Sequence, residues 1–194
     1  MSQKVITLEK NGDNFDVVIP SRSLREFTSV FSDDIETVEV FFANNQILFR
    51  SEHISFYTRL LEGNYPDTDR LIPTEFNTEA TFNVANLRFA MERARLLSNA
   101  TQNGTVKLEF KNGVVSSHVH SPEVGRVNEE IDTSAVSGED LSISFNPTYL
   151  IEALKAIDSE QVVIRFISSV RPFTLVPEGN EQGFIQLITP VRTN

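Results

Sequence analysis

A pattern that recurs three times constrains this chain more than any other feature. Val17-Val18-Ile19-Pro20-Ser21 leads into Leu24-Arg25-Glu26-Phe27, Thr81-Phe82-Asn83 leads into Leu87 through Ala94, and Ile143-Ser144-Phe145-Asn146-Pro147 leads into Leu150-Ile151-Glu152-Ala153-Leu154. Each copy reads as a short strand, a capped start and a helix, and each helix is followed by strands rather than by another helix. A repeat on this scale sets the architecture, and missing it would mis-assign the whole fold.

The helices follow from period and capping. In the first, Leu24, Phe27 and Phe31 share a face after Ser21, a good N-cap residue, and Asp33-Asp34 ends the segment. In the second, Leu87, Met91, Ala94 and Leu97 form the apolar stripe after Asn83, with Ser98-Asn99 closing it. The third aligns Leu150, Leu154 and Ile157, with Asn146 as cap and Pro147 at the favoured first position. All three are expected to be short amphipathic helices covering a sheet.

Strands are equally plain. Thr105 to Phe110 alternates, turns at Asn112-Gly113 and returns through Val114 to His120. Asn-Gly supplies the positive φ at both central residues that a type I′ turn needs, so Phe110 should face Val115 and Val106 should face Val119. Val38 to Phe42 and Gln46 to Arg50 read as a second hairpin with its tip at Asn44-Asn45, and Val162 to Ile167 with Phe173 to Val176 repeats the theme. The stretch Gly63 to Pro73, aperiodic and holding one Gly and two Pro, is the linker candidate. It leaves one unit before it and two after. The later pair spans about 115 residues, an ordinary domain size, so two units are expected to make one domain and the first unit half of one.

Composition narrows the class. At 194 residues with 40% apolar and 23% charged, the chain is neither collagen-like, low-complexity nor disordered. The absence of cysteine excludes disulfides, thiolate metal sites and cysteine nucleophiles and fits a reducing cytoplasm. No apolar run approaches the ~18 residues of a membrane span, and no export signal opens the chain, so a cytoplasmic location is expected. Fifteen Phe against three Tyr and no Trp suggest aromatic residues used as core filler rather than as base-stacking platforms.

No phosphate-binding, dinucleotide or nucleophile-elbow motif occurs. His118 and His120 share a strand face at a spacing that can hold a metal, but the sequence places no third ligand, and ordinary strand histidines are the expectation. Asp67-x-Asp69 lacks the glycine and later glutamate of a calcium loop and reads as a solvated turn. Glu129-Glu130 with Asp132 offers an acid and base pair or simply a solvated acidic face. Nothing nominates an enzyme. A net charge of −10 argues against a globally basic nucleic-acid surface. The helices differ from the rest: Arg22, Arg25, Arg88, Arg93, Arg95 and Lys155 against Glu26, Glu92 and Glu152 give them +3. They could face a polyanion, or be a solvated helix face with incidental arginines.

The chain resembles a known family in four places. Gly63-Asn64-Tyr65-Pro66-Asp67 with Arg70-Leu71-Ile72-Pro73 is similar to the interdomain segment of the bacterial sliding clamp, the β subunit of DNA polymerase III. Ala94-Arg95-Leu96-Leu97-Ser98-Asn99, Phe145-Asn146-Pro147-Thr148-Tyr149-Leu150 and the tail Thr189-Pro190-Val191-Arg192 resemble successive signatures of its last domain, in order, and the wording is similar to clamps of streptococcal type. The resemblance covers essentially the whole chain. It implies an α+β DNA-clamp fold of repeated strand, helix and antiparallel-strand units, helices on one face of the sheets, in a head-to-tail dimeric ring around DNA. Such clamps have three domains per chain. Residues 1–70 then correspond to the second half of the middle domain plus linker, and residues 71–194 to a complete C-terminal domain.

The resemblance also implies roles. It makes the chain a non-catalytic processivity subunit without a cofactor, whose partners are double-stranded DNA and the linear motifs of the polymerase α subunit, the clamp loader and repair polymerases. The peptide pocket would be walled by Pro66, Arg70, Leu71, Asn146, Tyr149, Val170, Pro172, Leu187, Ile188, Thr189, Pro190, Val191 and Arg192. Thr189 and Val191 stand where many clamps carry methionine, and the part of the pocket drawn from the earlier half of the middle domain is expected to be missing. Arg22, Arg25, Arg88, Arg93, Arg95 and Lys155 would face DNA, and Leu96 and Leu97 would belong to the ring interface. Lacking the domain that those leucines meet, the chain is expected to be largely monomeric. The alternatives are a reduced-size self-associating ring and an unrelated enzyme.

Overall fold

The computed structural model describes residues 1–7, 14–32, 34–43, 45–63, 65–98, 104–121, 125–179 and 183–192. In chain order its elements are β1 (Ser2–Lys4), α1 (Ser21–Val30), β2 (Glu39–Ala43), β3 (Gln46–Arg50), β4 (Ser55–Arg59), a 3-10 turn (Asp69–Leu71), β5 (Thr78–Asn83), α2 (Val84–Ser98), β6 (Val106–Lys111) and β7 (Val114–Ser121). They continue with β8 (Gly125–Ile131), β9 (Ala135–Gly138), β10 (Leu141–Phe145), α3 (Pro147–Lys155), β11 (Gln161–Phe166), β12 (Phe173–Pro177) and β13 (Phe184–Ile188). The chain divides into Leu8–Thr68 and a larger unit of Met1–Thr7 with Asp69–Asn194. Among the described residues no helix is long and apolar enough to cross a membrane.

In the larger unit two antiparallel sheets run β1-β13-β12-β11-β5-β9 and β10-β6-β7-β8. The two repeats interlock by exchanging strands. β5, which leads into α2, pairs with β11, the first strand after α3, from Gln161↔Asn83 to Phe166↔Thr78. β10, which leads into α3, pairs with β6, the first strand after α2, from Leu141↔Phe110 to Phe145↔Val106. The evenly spaced Leu87 and Leu150 are both fully buried in the shared core, with Phe82, Met91, Phe145, Ile151 and Phe166. Ring contacts of Phe110 with Phe166 at 4.9 Å and of Phe145 with Phe173 at 5.2 Å tie the two sheets together. Each such buried side chain contributes about 1.5–3 kcal/mol by leaving water.

The helix starts show the chemistry of their caps. Asn146 Oδ1 accepts from the Thr148 N–H at 2.9 Å with Pro147 in the first turn, and Asn83 Oδ1 accepts from the Asn86 N–H at 3.0 Å. The first helix departs from expectation. Ser21 is already its first helical residue, Pro20 holds the cap position, and no side chain caps it, since proline carries no acceptor beyond its carbonyl. Leu24, expected on the buried face, is 43% exposed, because α1 has no second helix beside it among the described residues of its unit. Phe27 does pack inward, its ring 4.5 Å from Phe31 and 4.6 Å from Phe49. Asp33, Asn44, Asn64 and Asn99, read as helix ends, hairpin tip and linker, lie outside the described residues.

The turns obey the expected stereochemistry. Asn112 and Gly113 have φ of 52° and 78°, and the hairpin pairs Phe110 with Val115, its ladder ending at Lys107↔His118, one step short of Val106 and Val119. Asn45 has φ of 71° beside the Ala43↔Gln46 pair. The smaller unit holds α1 over a single sheet, β2-β3-β4. One hydrogen bond repeats in both units: the Leu61 N–H donates to Val18 O at 2.8 Å, as the Val191 N–H donates to Ser144 O at 2.7 Å. The phenylalanines are not all core filler, for Phe15, Phe41, Phe42 and Phe89 are exposed.

Candidate functional site

In the larger unit an open hollow of about 610 Å³ lies between the exposed side of α3 and β13, lined by Met1, Ser2, Tyr149, Glu152, Ala153, Gln186, Leu187, Ile188 and Thr189. Its floor is apolar because β13 is a strand buried through its last three residues, Gln186 to Ile188. Gln186 fixes the floor to the helix, its buried Nε2 donating to Ala153 O at 2.6 Å. Tyr149, in the first turn of α3 and 61% exposed, stands at the rim with its ring free to cover an apolar guest. β1 closes one side by pairing Ser2 with Gln186, and the Leu187 N–H donates to Met1 O at 2.9 Å.

Four residues expected from the sequence line this hollow: Tyr149, Leu187, Ile188 and Thr189. The others lie elsewhere. The Asn146 side chain is engaged in capping α3, and exposed Val170 and half-buried Pro172 sit on the turn between β11 and β12. Arg70 and Leu71 belong to the 3-10 turn, which Gln3 Nε2 tethers to β1 through Asp69 Oδ1 at 3.1 Å. Pro190 is half-buried and Val191 and Arg192 are exposed beyond β13, while Pro66 belongs to the smaller unit. Met1, Ser2, Glu152, Ala153 and Gln186 were not expected. Gln186 carried a signal, a lone amide inside the apolar run Phe184 to Ile188, which must bury a hydrogen-bonding group.

The helix cations are mostly engaged. Arg22 pairs with Glu26 at 3.0 Å, Arg88 with Glu92 at 3.8 Å and Lys155 with Glu152 at 2.9 Å. Arg93 is held by Glu129, whose carboxylate hydrogen bond raises the guanidinium pKa above its ordinary value. Among the described residues Arg25 and Arg95 have no ion-pair partner. Leu96 is 73% exposed at the end of α2, whereas Leu97 packs against the core. His118 is tied to Asn128 Oδ1 at 2.8 Å and Ser116 Oγ at 2.9 Å, and no group of metal-ligating side chains gathers among the described residues. Glu129 pairs with Arg93 across to the helix.

Interlocked repeats of strand, helix and antiparallel strands, with paired helices on one face of the sheets, define a domain of the DNA-clamp class. Sequence models of the DNA polymerase III beta subunit match residues 69–192 as its C-terminal domain and residues 1–67 as its central domain. The solved DNA polymerase III beta chain of Streptococcus pneumoniae TIGR4 superposes with a TM-score of 0.97 at 80% identity, covering 99% of this chain and 51% of that one. The Bacillus subtilis DNA polymerase sliding clamp does so at 0.93 and 36% identity, covering 100% of this chain and 51% of that one. The curated Beta sliding clamps of Streptococcus pneumoniae TIGR4 and Lactococcus lactis IL1403 are 79% and 54% identical over the whole of this chain, and cover 51% and 52% of their own lengths. The chain belongs to the DNA polymerase III beta subunit family. It spans about half the length of the curated relatives it matches.

Proposed function

We propose that the chain is part of a replication processivity clamp, a non-catalytic tether that holds polymerase and repair proteins on DNA through short linear motifs. The observation that carries this reading is the hollow between α3 and β13, where Tyr149 stands over an apolar floor. A peptide with a glutamine followed by Leu and Phe anchors fits such a site: apolar side chains take the floor and the ring of Tyr149 closes over them. Arg70, Leu71, Asn146, Val170, Pro172, Pro190, Val191 and Arg192 are proposed as a wider rim that a longer peptide reaches. Residues 1–70 are read as half of a middle domain with its linker and 71–194 as a C-terminal domain. Arg22, Arg25, Arg88, Arg93, Arg95 and Lys155 are proposed to face the duplex, and Leu96 and Leu97 to serve a ring interface. A fluorescence-anisotropy titration of one labelled peptide of this type tests the reading. Saturable binding that is lost on deleting Thr189 to Asn194 supports it, and identical affinity for the intact and shortened chains places the peptide elsewhere.

A further inference from the structure

Of the residues lining the hollow, Gln186 alone carries a side-chain amide, and it is 6% exposed. Pairing of β13 with β12 and β1 runs through the backbone and leaves this amide to find its own partners. Nε2 donates to Ala153 O at 2.6 Å, and that carbonyl fixes the orientation of the amide, since only the nitrogen end can donate. The last turn of α3 closes with i→i−3 bonds, Ala156 N–H to Ala153 O and Ile157 N–H to Leu154 O, both at 3.2 Å. Gln186 therefore caps the end of α3 from a strand 33 residues further along the chain, satisfying a carbonyl of the kind that helix ends leave open.

The other end of the amide is left over. No donor among the described residues reaches Gln186 Oε1. Among those residues the buried side-chain polar atoms without a partner are Arg88 Nε and Thr174 Oγ1. Gln186 Oε1 is not one of them, so water reaches it, and the hollow is the opening that Gln186 lines. The amide also stands at a set distance from the rim. Tyr149 and Ala153 are four residues apart on α3, about 6 Å along its axis. A side chain that enters beneath the Tyr149 ring and follows α3 toward its C-terminal end has the apolar wall of Leu187 and Ile188 beside it for about one helical turn, and then meets the amide. An apolar group laid over Oε1 strips its water and returns no hydrogen bond, and the tie to Ala153 keeps the amide from swinging aside.

We propose that Gln186 is the specificity-determining residue of the hollow, a depth limit that admits a leucine-sized anchor and rejects a longer apolar one unless that anchor ends in an N–H donor. The inference rests on the peptide reading above and adds to it the size and polarity of the side chain that the hollow selects.

Three labelled peptides, identical but for the Leu anchor, test this by fluorescence anisotropy on the 194-residue chain. One keeps Leu, one carries 2-aminoheptanoic acid, whose straight side chain is a methylene larger and reaches further, and one carries homoglutamine, of that same reach with a terminal amide. On a uniformly apolar floor the added methylene tightens binding about fourfold. With an acceptor at its end, the 2-aminoheptanoic acid peptide should instead bind about fivefold more weakly than the Leu peptide, and the homoglutamine peptide should recover most of that loss. Gln186→Met keeps the length and removes both polar ends, so the order of the Leu and 2-aminoheptanoic acid peptides should reverse, whatever affinity the lost cap costs them both. A 2-aminoheptanoic acid peptide that binds the unmodified chain as tightly as the Leu peptide overturns the proposal, and so does a folded Gln186→Met chain that keeps the original order. Should that variant fail to fold, the three peptides on the unmodified chain still decide. Leu-peptide binding that is absent, or indifferent to deletion of Thr189 to Asn194, overturns the peptide reading itself and the depth limit with it.

Discussion

Tyr149 and Gly138 each concentrate one consequence in a single residue. Tyr149 is exposed, and its backbone bond to Asn146 O at 3.2 Å belongs to the first turn of α3, so removing the ring leaves the helix intact. Tyr149→Ala should therefore act on binding rather than on folding, costing about 2 kcal/mol, or roughly 30-fold in peptide affinity, by anisotropy titration. Arg70→Ala should cost less, because an exposed charge at a rim contributes little. Gly138 is the opposite case. Its φ is +99° and a Cβ there would stand 1.9 Å from Asn77 O, against backbone that β5 holds in place. Gly138→Ala should lower stability by about 2 kcal/mol or more in urea denaturation, without touching the hollow directly.

At the scale of elements, the cap of α3 makes the cleanest prediction. Asn146→Ala removes the acceptor for the Thr148 N–H and should cost about 1 kcal/mol of stability, read as a lower denaturation midpoint. Where such local chemistry governs, the sequence is legible: Asn146-Pro147, the stripe from Leu87 to Ala94 and the Asn112-Gly113 turn each form as their residues dictate. It is less legible where the partner lies far along the chain. β1 is three residues long and forms only because β13 offers Gln186 and its neighbours as partners. β8 carries Arg126, Asn128, Glu129 and Glu130 on a mostly exposed edge, so no apolar alternation marks it, and it is ordered by its pairing with β7 and the Arg93–Glu129 pair from α2. Ser21 misled for a different reason, since a good cap residue one position too late lies inside the helix. The same division holds at the site. Tyr149 and the β13 wall could be read along the chain, whereas Met1, Ser2 and Gln186 join it through strand pairing across the larger unit.

For the molecule as a whole, the proposed clamp reading asks how strongly an acidic chain can hold a duplex. Its net charge is −10, and of the six helix cations assigned to DNA four are already paired with carboxylates. Exposed pairs of this kind are individually weak, but a paired guanidinium gains less from a phosphate than an unpaired one, since it must first give up its carboxylate. If the helices face a duplex as proposed, Arg25 and Arg95 are the phosphate contacts available without rearrangement. Two released counterions correspond to a slope of roughly −2 in log K against log salt. Glu129→Gln removes the charge that holds Arg93 and should steepen the slope to roughly −3 while raising affinity at low salt. Replacing Arg25 and Arg95 together by Ala should flatten it toward zero. Anisotropy titrations of a labelled linear duplex at a series of salt concentrations, on the chain and these variants, measure all three slopes. A slope near −6 in the unmodified chain would show that the paired cations open to phosphate. Tight binding insensitive to both sets of variants would show that the duplex meets some surface other than these helices.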